Sequence, residues 1–330
     1  MRGAVYVNGS IAPADQAVVP VYDHGFVYGE GVYETLRTYN RVPFLYDRHL
    51  RRLRRSAEAL VLDVPFDDKS LLRAIEDTMD AASIPRDGDA YIRVLLTRGV
   101  GELTYDPKAT PTPTTVIIVK PFEPPPARVF NDGIRVALVD ILRNHPGSVN
   151  PAIKSNNLLN NAIAMQAAYR RGADEALMCN YRGELSECSQ ANVFLVRGGV
   201  AMTPRTSAGL LDGVTRTFLF EVGQDVGIGV REELLVAVLD HEDVLDRGSV
   251  PELVEQGHQR GVDDDGAVVR VGGDVGEVGR VQAQVERVEH EPPAGDPEVR
   301  LEVLVVVPAQ GCDAVAALEP ERLQRDCELP

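Results

Sequence analysis

The sequence has few cysteines and no long apolar run, and each of these shortages excludes a class of protein. Its four cysteines lie far apart, with no Cys-x-x-Cys pair and no histidine at metal-binding spacing. This excludes a disulfide framework and structural zinc, and it predicts a reducing compartment. No stretch approaches the roughly 20 apolar residues of a membrane span, and the first residues lack the pattern of a signal peptide. We therefore expect a cytoplasmic protein with no metal site and no membrane partner.

Residues 236–330 differ from the rest of the chain in charge and in residue types. They hold 22 acidic and 8 basic residues, whereas residues 1–235 hold 28 and 26, so the net charge of −16 belongs mostly to this tail. The tail contains no Lys, Asn, Ile, Phe, Tyr, Thr or Met, although valine runs such as residues 304–307 are candidates for strands. Two hypotheses stay open: a disordered acidic extension, or a reading-frame shift near codon 235, which gene sequencing would test.

Apolar periodicity and proline content predict a mixed α/β protein with two domains before that tail. We infer an N-terminal α/β domain over residues 1–120, a proline-rich linker over 121–128 and a C-terminal domain over 129–235. The predicted helices are 47–60, 69–82, 156–171 and one that begins near 213. The predicted strands are 4–8, 17–22, 90–97, 114–120, 133–142, 175–180, 192–196 and 199–203. The first helix is rich in arginine but has no interleaved aromatic residues, so we expect no nucleic-acid partner.

Lys154 is an isolated charge and a candidate nucleophile. It is the only formally charged residue between Arg143 and Arg170, and asparagines and aliphatic residues follow it. Poor solvation without a nearby carboxylate favours the neutral amine, which is the form that attacks carbonyl groups. The alternative at this point is an ordinary solvated lysine.

Two later segments are weak signals when each is taken alone. Glu187 lies between strand-like runs, where a solvated surface carboxylate fits equally well. The glycine turn at Gly213 opens a helix, and free N–H groups at a helix start bind phosphate readily, although most such turns bind no anion.

Together these segments resemble the fold-type IV, or class IV, aminotransferases, which depend on pyridoxal 5'-phosphate. Lys154, Glu187 and Gly213 follow one another at intervals of 33 and 26 residues. The family pattern of Glu, any residue, a small residue, two of any kind, Asn, an aliphatic and an aromatic residue is met by residues 187–194. Its later half is met by residues 211–216, and the one departure is Ala201 in place of a larger aliphatic residue. The resemblance covers about residues 4–235.

The resemblance implies a fold and a role for each of these residues. It implies a small N-terminal α/β sandwich and a larger C-terminal α/β pseudo-barrel, the latter incomplete after about residue 235. Lys154 would hold pyridoxal 5'-phosphate covalently and then move the substrate's Cα proton. Glu187 would face the pyridine nitrogen, while the phosphate would meet the turn at Gly213, the N–H groups of Val214 and Thr215, and Arg52 of the His-x-x-Arg-Leu motif.

Within this family the sequence is most similar to the branched-chain aminotransferases. The segments around Tyr33 and Arg37, and around Tyr91 and Arg93, resemble those enzymes. The implied substrate contacts are an arginine, Arg37 or Arg93, for a carboxylate, and the two tyrosines as walls of the side-chain pocket. The implied reaction moves the amino group of a branched-chain L-amino acid to 2-oxoglutarate by a ping-pong Schiff-base mechanism, in a homodimer or larger homo-oligomer.

Three alternatives stay open. Leucines at 158 and 159 occupy the place where branched-chain enzymes carry a tyrosine, as in the D-amino-acid aminotransferases. Aminodeoxychorismate lyases share the same scaffold. Finally, no threonine follows Thr217, although relatives carry a threonine-rich phosphate loop there, so a damaged or inactive cofactor-binding protein is the third alternative.

Overall fold

The computed structural model describes residues 2–197 and 199–236, and beyond them the backbones of three strands at 268–274, 280–286 and 303–308. These described residues divide into two units. Unit 1 contains Met1–Pro124 and Ala152–Leu158, and unit 2 contains Pro125–Pro151 and Leu159–Pro308.

Unit 1 is built on an antiparallel sheet of six strands. The strands are β1 Ala4–Val7, β2 Ser10–Pro13, β3 Gly31–Tyr39, β4 Val42–Pro43, β5 Ala90–Thr97 and β6 Thr114–Pro121. They run in the order β2-β1-β6-β5-β3-β4. Along β5 the residues alternate between buried and half-buried, which is the period of a sheet with one face on the core.

The helices of unit 1 are α1 His24–Val27, α2 Tyr46–Ala59 and α3 Asp68–Ala81. A capping box starts α3, because the Asp67 side chain accepts a bond from Ser70 N and Ser70 Oγ accepts one from Asp67 N. The buried side of α2 follows the helical period and carries His49, Leu50, Arg52, Leu53, Ser56 and Ala57. Two of these residues are ionisable, so the helix brings charge as well as apolar surface into the interior.

The described residues of unit 2 form two sheets and three helices. The strands are β7 Arg135–Val139, β8 Glu175–Cys179, β9 Leu185–Cys188, β10 Ala191–Arg197, β11 Val200–Pro204, β12 Gly229–Glu233, β13 Val268–Asp274, β14 Arg280–Glu286 and β15 Val303–Pro308. The sheets run β12-β11-β10-β15 and β14-β13-β7-β8-β9, with parallel pairing of β7 to β8 and of β11 to β12. The helices are α4 Ala127–Asn131, α5 Leu159–Arg170 and α6 Val214–Val226.

The mixed α/β class and most of the predicted elements are confirmed, and one element is wrong. The predicted helices at 47–60 and 69–82 are α2 and α3, and the predicted strand at 90–97 is β5. Residues 17–22 form no strand. Pro20 has no N–H to donate, and Val18 and Val21 are 78% and 66% exposed, so this segment has no core to face.

Residues 152–158 pack with unit 1 although their chain neighbours lie in unit 2. Ser155 forms an antiparallel bridge with Val32 of β3. Tyr33 N donates to Lys154 O at 2.9 Å, and Lys154 N donates to Ser56 Oγ at 3.2 Å. The predicted helix at 156–171 therefore begins only at Leu159, after this extended segment ends.

The predicted tail falls mostly outside the described residues. The valine run at 304–307 lies in β15, which pairs antiparallel with β10, and β13 pairs antiparallel with β7. In the described part of the chain, no helix combines the length and the apolar character needed to cross a bilayer.

Candidate active site

Lys154 is a buried lysine held against the edge of β3. Its residue is only 5% exposed, and the backbone bonds to Tyr33 and Ser56 fix the chain on both sides of its Cα. Its Nζ lies 4.5 Å from the centre of the Tyr33 ring. The prediction that this lysine is poorly solvated therefore agrees with its burial, and the local geometry fits a nucleophile kept away from bulk water.

A second cation lies on the same ring. The guanidinium carbon of Arg93 is 4.0 Å from the centre of the Tyr33 ring, so the structure brings Tyr33, Arg93 and Lys154 together. Burial raises the pKa of the Tyr33 hydroxyl above its ordinary value of 10.0, although the charge of Arg93 opposes this. Tyr33 is therefore a neutral phenol at physiological pH.

Arg37 and Tyr91 lie farther along the same two strands and pair with other residues. They are opposite each other in the β3–β5 register, as are Thr35 and Arg93. Arg37 Nη2 donates to Asp89 Oδ2 at 2.9 Å, and its guanidinium lies 4.5 and 3.9 Å from the ring centres of Tyr39 and Phe122. Lys120 Nζ is 4.7 Å from the centre of the Tyr91 ring.

Arg52 is part of a buried charge cluster on the helix-covered face of the sheet. Its Nε and Nη2 donate to the two carboxylate oxygens of Glu34, each at 2.7 Å, and His49 Nδ1 is 2.7 Å from Glu34 Oε2. Burial alone would raise the pKa of Glu34, but the charge and hydrogen bonds of Arg52 and the bond from His49 together lower it to about 2. Burial lowers the pKa of His49 despite its bond to Glu34. The cluster is therefore one ion pair with a neutral histidine beside it.

In unit 2, Glu187 is a buried carboxylate surrounded by donors. Arg143 Nε donates to Oε1 at 2.7 Å, while Asn192 Nδ2 at 3.3 Å and Leu211 N at 3.1 Å donate to Oε2. The residue is 5% exposed. A solvated surface carboxylate, the alternative for this residue, does not agree with that burial.

The Gly213 turn precedes the first turn of α6, as the sequence predicts. Gly213 is the N-cap of α6 and caps it with no side-chain bond, and both Val214 and Thr215 are buried. A Cβ on Gly213 would lie 2.0 Å from Asn192 Oδ1, so only glycine fits against that amide. Asn192 Nδ2 also donates to Leu211 O at 2.9 Å, which ties the turn to the neighbourhood of Glu187.

The donor set fits pyridoxal 5'-phosphate in its chemistry. An aldehyde needs an amine, a pyridine nitrogen needs a carboxylate, and a phosphate needs backbone N–H groups or a guanidinium. Lys154, Glu187, the first turn of α6 and Arg52 supply these groups, each within its own unit. Among the described residues there is no cluster of three His, Cys, Asp or Glu side chains suited to a metal ion.

Sequence reasoning missed the partners that hold these groups. Glu34 lies 18 residues before Arg52 and Arg143 lies 44 residues before Glu187, so no local motif links either pair. Asn192 and Leu211 were partners with a signal, since both occupy positions of the family pattern.

Comparisons with known proteins place the chain near one enzyme family. The family model described as "Amino-transferase class IV" matches residues 31–239. A protein of Methanocaldococcus jannaschii described as a branched-chain-amino-acid aminotransferase is 36% identical over 231 residues, which cover 70% of this chain and 78% of that protein. The aminodeoxychorismate lyase of Bacillus subtilis is 30% identical over 253 residues, covering 76% and 84%. The D-alanine aminotransferase of Listeria innocua is 33% identical over 231 residues, covering 69% and 77%.

Solved structures agree with this placement. The crystal structure of the branched-chain aminotransferase from Thermoproteus uzoniensis with norvaline is similar, with a TM-score of 0.64 and 31% identity. The match covers 71% of this chain and 78% of that one.

Proposed function

Because the chain belongs to the class IV aminotransferases, we propose that it is a pyridoxal-phosphate-dependent transaminase that moves the amino group of branched-chain L-amino acids to 2-oxoglutarate. The observation that carries the proposal is the buried Lys154 amine on the ring of Tyr33, with Arg93 against the same ring. We further propose that it works as a homodimer or larger homo-oligomer.

We assign the cofactor contacts by the chemistry of each group. Lys154 would hold the aldehyde carbon, Glu187 the pyridine nitrogen, and Arg52 the phosphate together with the turn at Gly213 and the N–H groups of Val214 and Thr215. When bound, pyridoxal phosphate supplies an electron-withdrawing ring that stabilises negative charge at the substrate Cα.

The protein's own residues then position the substrate and move its proton. The Lys154 amine would remove the Cα proton as a general base and deliver it to the carbon that carried the aldehyde, and its burial keeps water from competing for that proton. The neutral Tyr33 ring presents an apolar wall beside the amine, which favours an aliphatic substrate side chain.

Of the two candidate arginines, we propose Arg93 as the carboxylate contact. Among the described residues Arg93 has no ion pair, and it lies on the ring that Lys154 also contacts. Arg37 is instead engaged with Asp89 and two aromatic rings.

Arg93→Met is therefore expected to raise KM for 2-oxoglutarate about tenfold or more, through the loss of a charge-assisted hydrogen bond. Arg37→Met is the matched comparison: it should lower the melting temperature but leave KM within about twofold. Steady-state kinetics with varied 2-oxoglutarate measure both. The opposite pattern would move the carboxylate contact to Arg37.

A D-amino-acid transaminase is the second candidate function. Leu158 and Leu159 stand where branched-chain enzymes carry a tyrosine, and the chain is similar to a D-alanine aminotransferase as well. An amino-donor screen separates the candidates. The purified chain, saturated with pyridoxal phosphate, receives L-Leu, L-Ile, L-Val or D-Ala with 2-oxoglutarate, and glutamate is measured.

We expect kcat/KM for L-Leu to exceed that for D-Ala by at least about tenfold. Turnover of D-Ala alone contradicts the proposed substrate class. Release of pyruvate from aminodeoxychorismate without glutamate formation would identify a lyase instead. A chain that takes up no cofactor rejects all three activities.

A further inference from the structure

We propose that Arg143 is a positioning residue: its guanidinium keeps Glu187 ionised and fixes its carboxylate, so that the ring nitrogen of bound pyridoxal phosphate carries the proton. This inference rests on the proposed function, because it assumes that Glu187 faces that nitrogen. It adds a residue that lies outside every motif in the sequence.

The contact between the two residues is short, buried and directional. Arg143 Nε lies 2.7 Å from Glu187 Oε1, and their side chains are 9% and 6% exposed. The second carboxylate oxygen accepts from Asn192 Nδ2 and Leu211 N at 3.3 and 3.1 Å. Donors therefore hold both oxygens, and the plane of the carboxylate is fixed.

Arg143 is itself held in place. Its Nη1 donates to Asn160 Oδ1 at 3.1 Å, and Asn160 Nδ2 donates to Leu142 O at 2.8 Å. Its backbone N donates to Cys179 O at 2.8 Å. The backbone of Arg143 is thus anchored to β8 and its guanidinium to the start of α5, so the guanidinium cannot swing away from Glu187 without breaking its bond to Asn160.

The charge of the Arg143 guanidinium determines where the proton between Glu187 and the ring nitrogen lies. A carboxylate and a pyridine nitrogen that share a proton have two states: a carboxylate with a pyridinium, or a carboxylic acid with a neutral nitrogen. Burial of Glu187 favours the neutral pair, since it disfavours the charged form. A guanidinium within hydrogen-bond distance favours the ionised carboxylate and shifts the proton to the nitrogen. A protonated ring withdraws electrons more strongly, which is the property that transamination needs.

The test observes the ring nitrogen directly and does not depend on turnover. The full chain is loaded with pyridoxal phosphate labelled with nitrogen-15 in the ring, and the nitrogen chemical shift is followed from pH 6 to 9. We expect a pyridinium signal in the wild type. In Arg143→Gln the deprotonation of the nitrogen should move to lower pH by about one unit or more.

A second measurement compares two cofactors. Binding of pyridoxal phosphate to Arg143→Gln should weaken about tenfold, whereas binding of the 1-deaza analogue, which has no ring nitrogen, should change less than about twofold. Equal losses for the two cofactors would show a purely structural role and overturn the proposal.

The matched control is Arg171→Gln, also in unit 2, where Arg171 pairs with Asp140 and donates to Leu138 O. It should leave the nitrogen signal unchanged. Arg143→Lys keeps a positive charge but loses the planar fork, and we expect an intermediate shift. If Arg143→Gln does not fold, Arg143→Lys carries the test, and a nitrogen titration identical to the wild type overturns the proposal.

Different results reject the proposed function and the role of Arg143. A wild-type chain that takes up no pyridoxal phosphate rejects the proposed function. A chain that binds it and gives the same nitrogen titration with and without Arg143 retains the function and rejects only the role of Arg143.

Discussion

Replacement of Lys154 by alanine is expected to reduce transamination on the order of 10³-fold or more, since one substitution removes both the covalent anchor and the general base. The amine lies 4.5 Å from the centre of the Tyr33 ring in a residue that is only 5% exposed. Water cannot easily take its place there as a base. The variant should still fold, because the backbone bonds of Lys154 to Tyr33 and Ser56 do not involve its side chain.

Borohydride reduction followed by peptide mass spectrometry gives a second readout of the same residue. The wild-type chain incubated with pyridoxal phosphate should carry a stable cofactor label on the peptide that contains Lys154, and Lys154→Ala should carry none. Lys69→Ala is the matched control, because Lys69 is an exposed lysine in the first turn of α3. A label that persists in Lys154→Ala and disappears in Lys69→Ala would contradict the assignment.

The parts of the fold that sequence reasoning found are those with a local period. Helix α2 could be predicted because its buried residues recur every three or four positions. Strand β5 could be predicted because buried and half-buried residues alternate along it. Residues 17–22 look like a strand by composition, but a strand needs a neighbour to pair with, and that depends on the whole sheet. The same limit explains residues 152–158, whose place beside β3 follows from bonds to residues roughly a hundred positions away in sequence.

For the candidate site, the sequence suggested which residues would carry the chemistry, but it did not indicate most of the residues that hold them in the structure. Lys154, Glu187 and Gly213 were found through their spacing. Glu34 and Arg143 were not, because an ion pair between distant residues leaves no mark on local patterns. The interpretation of Arg52 also changes with the structure. The sequence allowed a solvated basic helix face, whereas the guanidinium is buried and donates two hydrogen bonds to the carboxylate of Glu34.

Replacement of Glu34 by alanine is expected to lower the free energy of unfolding by about 3–5 kcal/mol, because it leaves the buried Arg52 guanidinium without its carboxylate. Glu34 is fully buried, and Arg52 is 3% exposed. Urea unfolding followed by circular dichroism measures the change. Glu58→Ala on the exposed side of α2 is the matched control, and it should stay within about 0.5 kcal/mol of the wild type. Equal, small effects of the two substitutions would show that the pair contributes little.

The same residue should make stability depend on pH in a defined direction. Its pKa is about 2 in the folded chain against an ordinary 4.5, so as pH falls below about 4.5 the unfolded chain takes up a proton that the folded chain does not. The stabilisation is present in full above that pH and is lost as pH falls toward 2, by about 3 kcal/mol in all. His49, whose folded pKa is lowered from 6.5, adds an earlier loss that begins as pH falls through 6.5.

Urea midpoints measured at pH 7, 5.5, 4.5 and 3 should therefore fall in two stages in the wild type. Glu34→Gln has no carboxylate to titrate at this position, so it should begin less stable at pH 7 and lose less between pH 4.5 and 3. If Glu34→Gln loses as much stability in that interval as the wild type does, other carboxylates cause the loss. The ion pair of Glu34 with Arg52 would then not determine how the stability of the chain falls in acid.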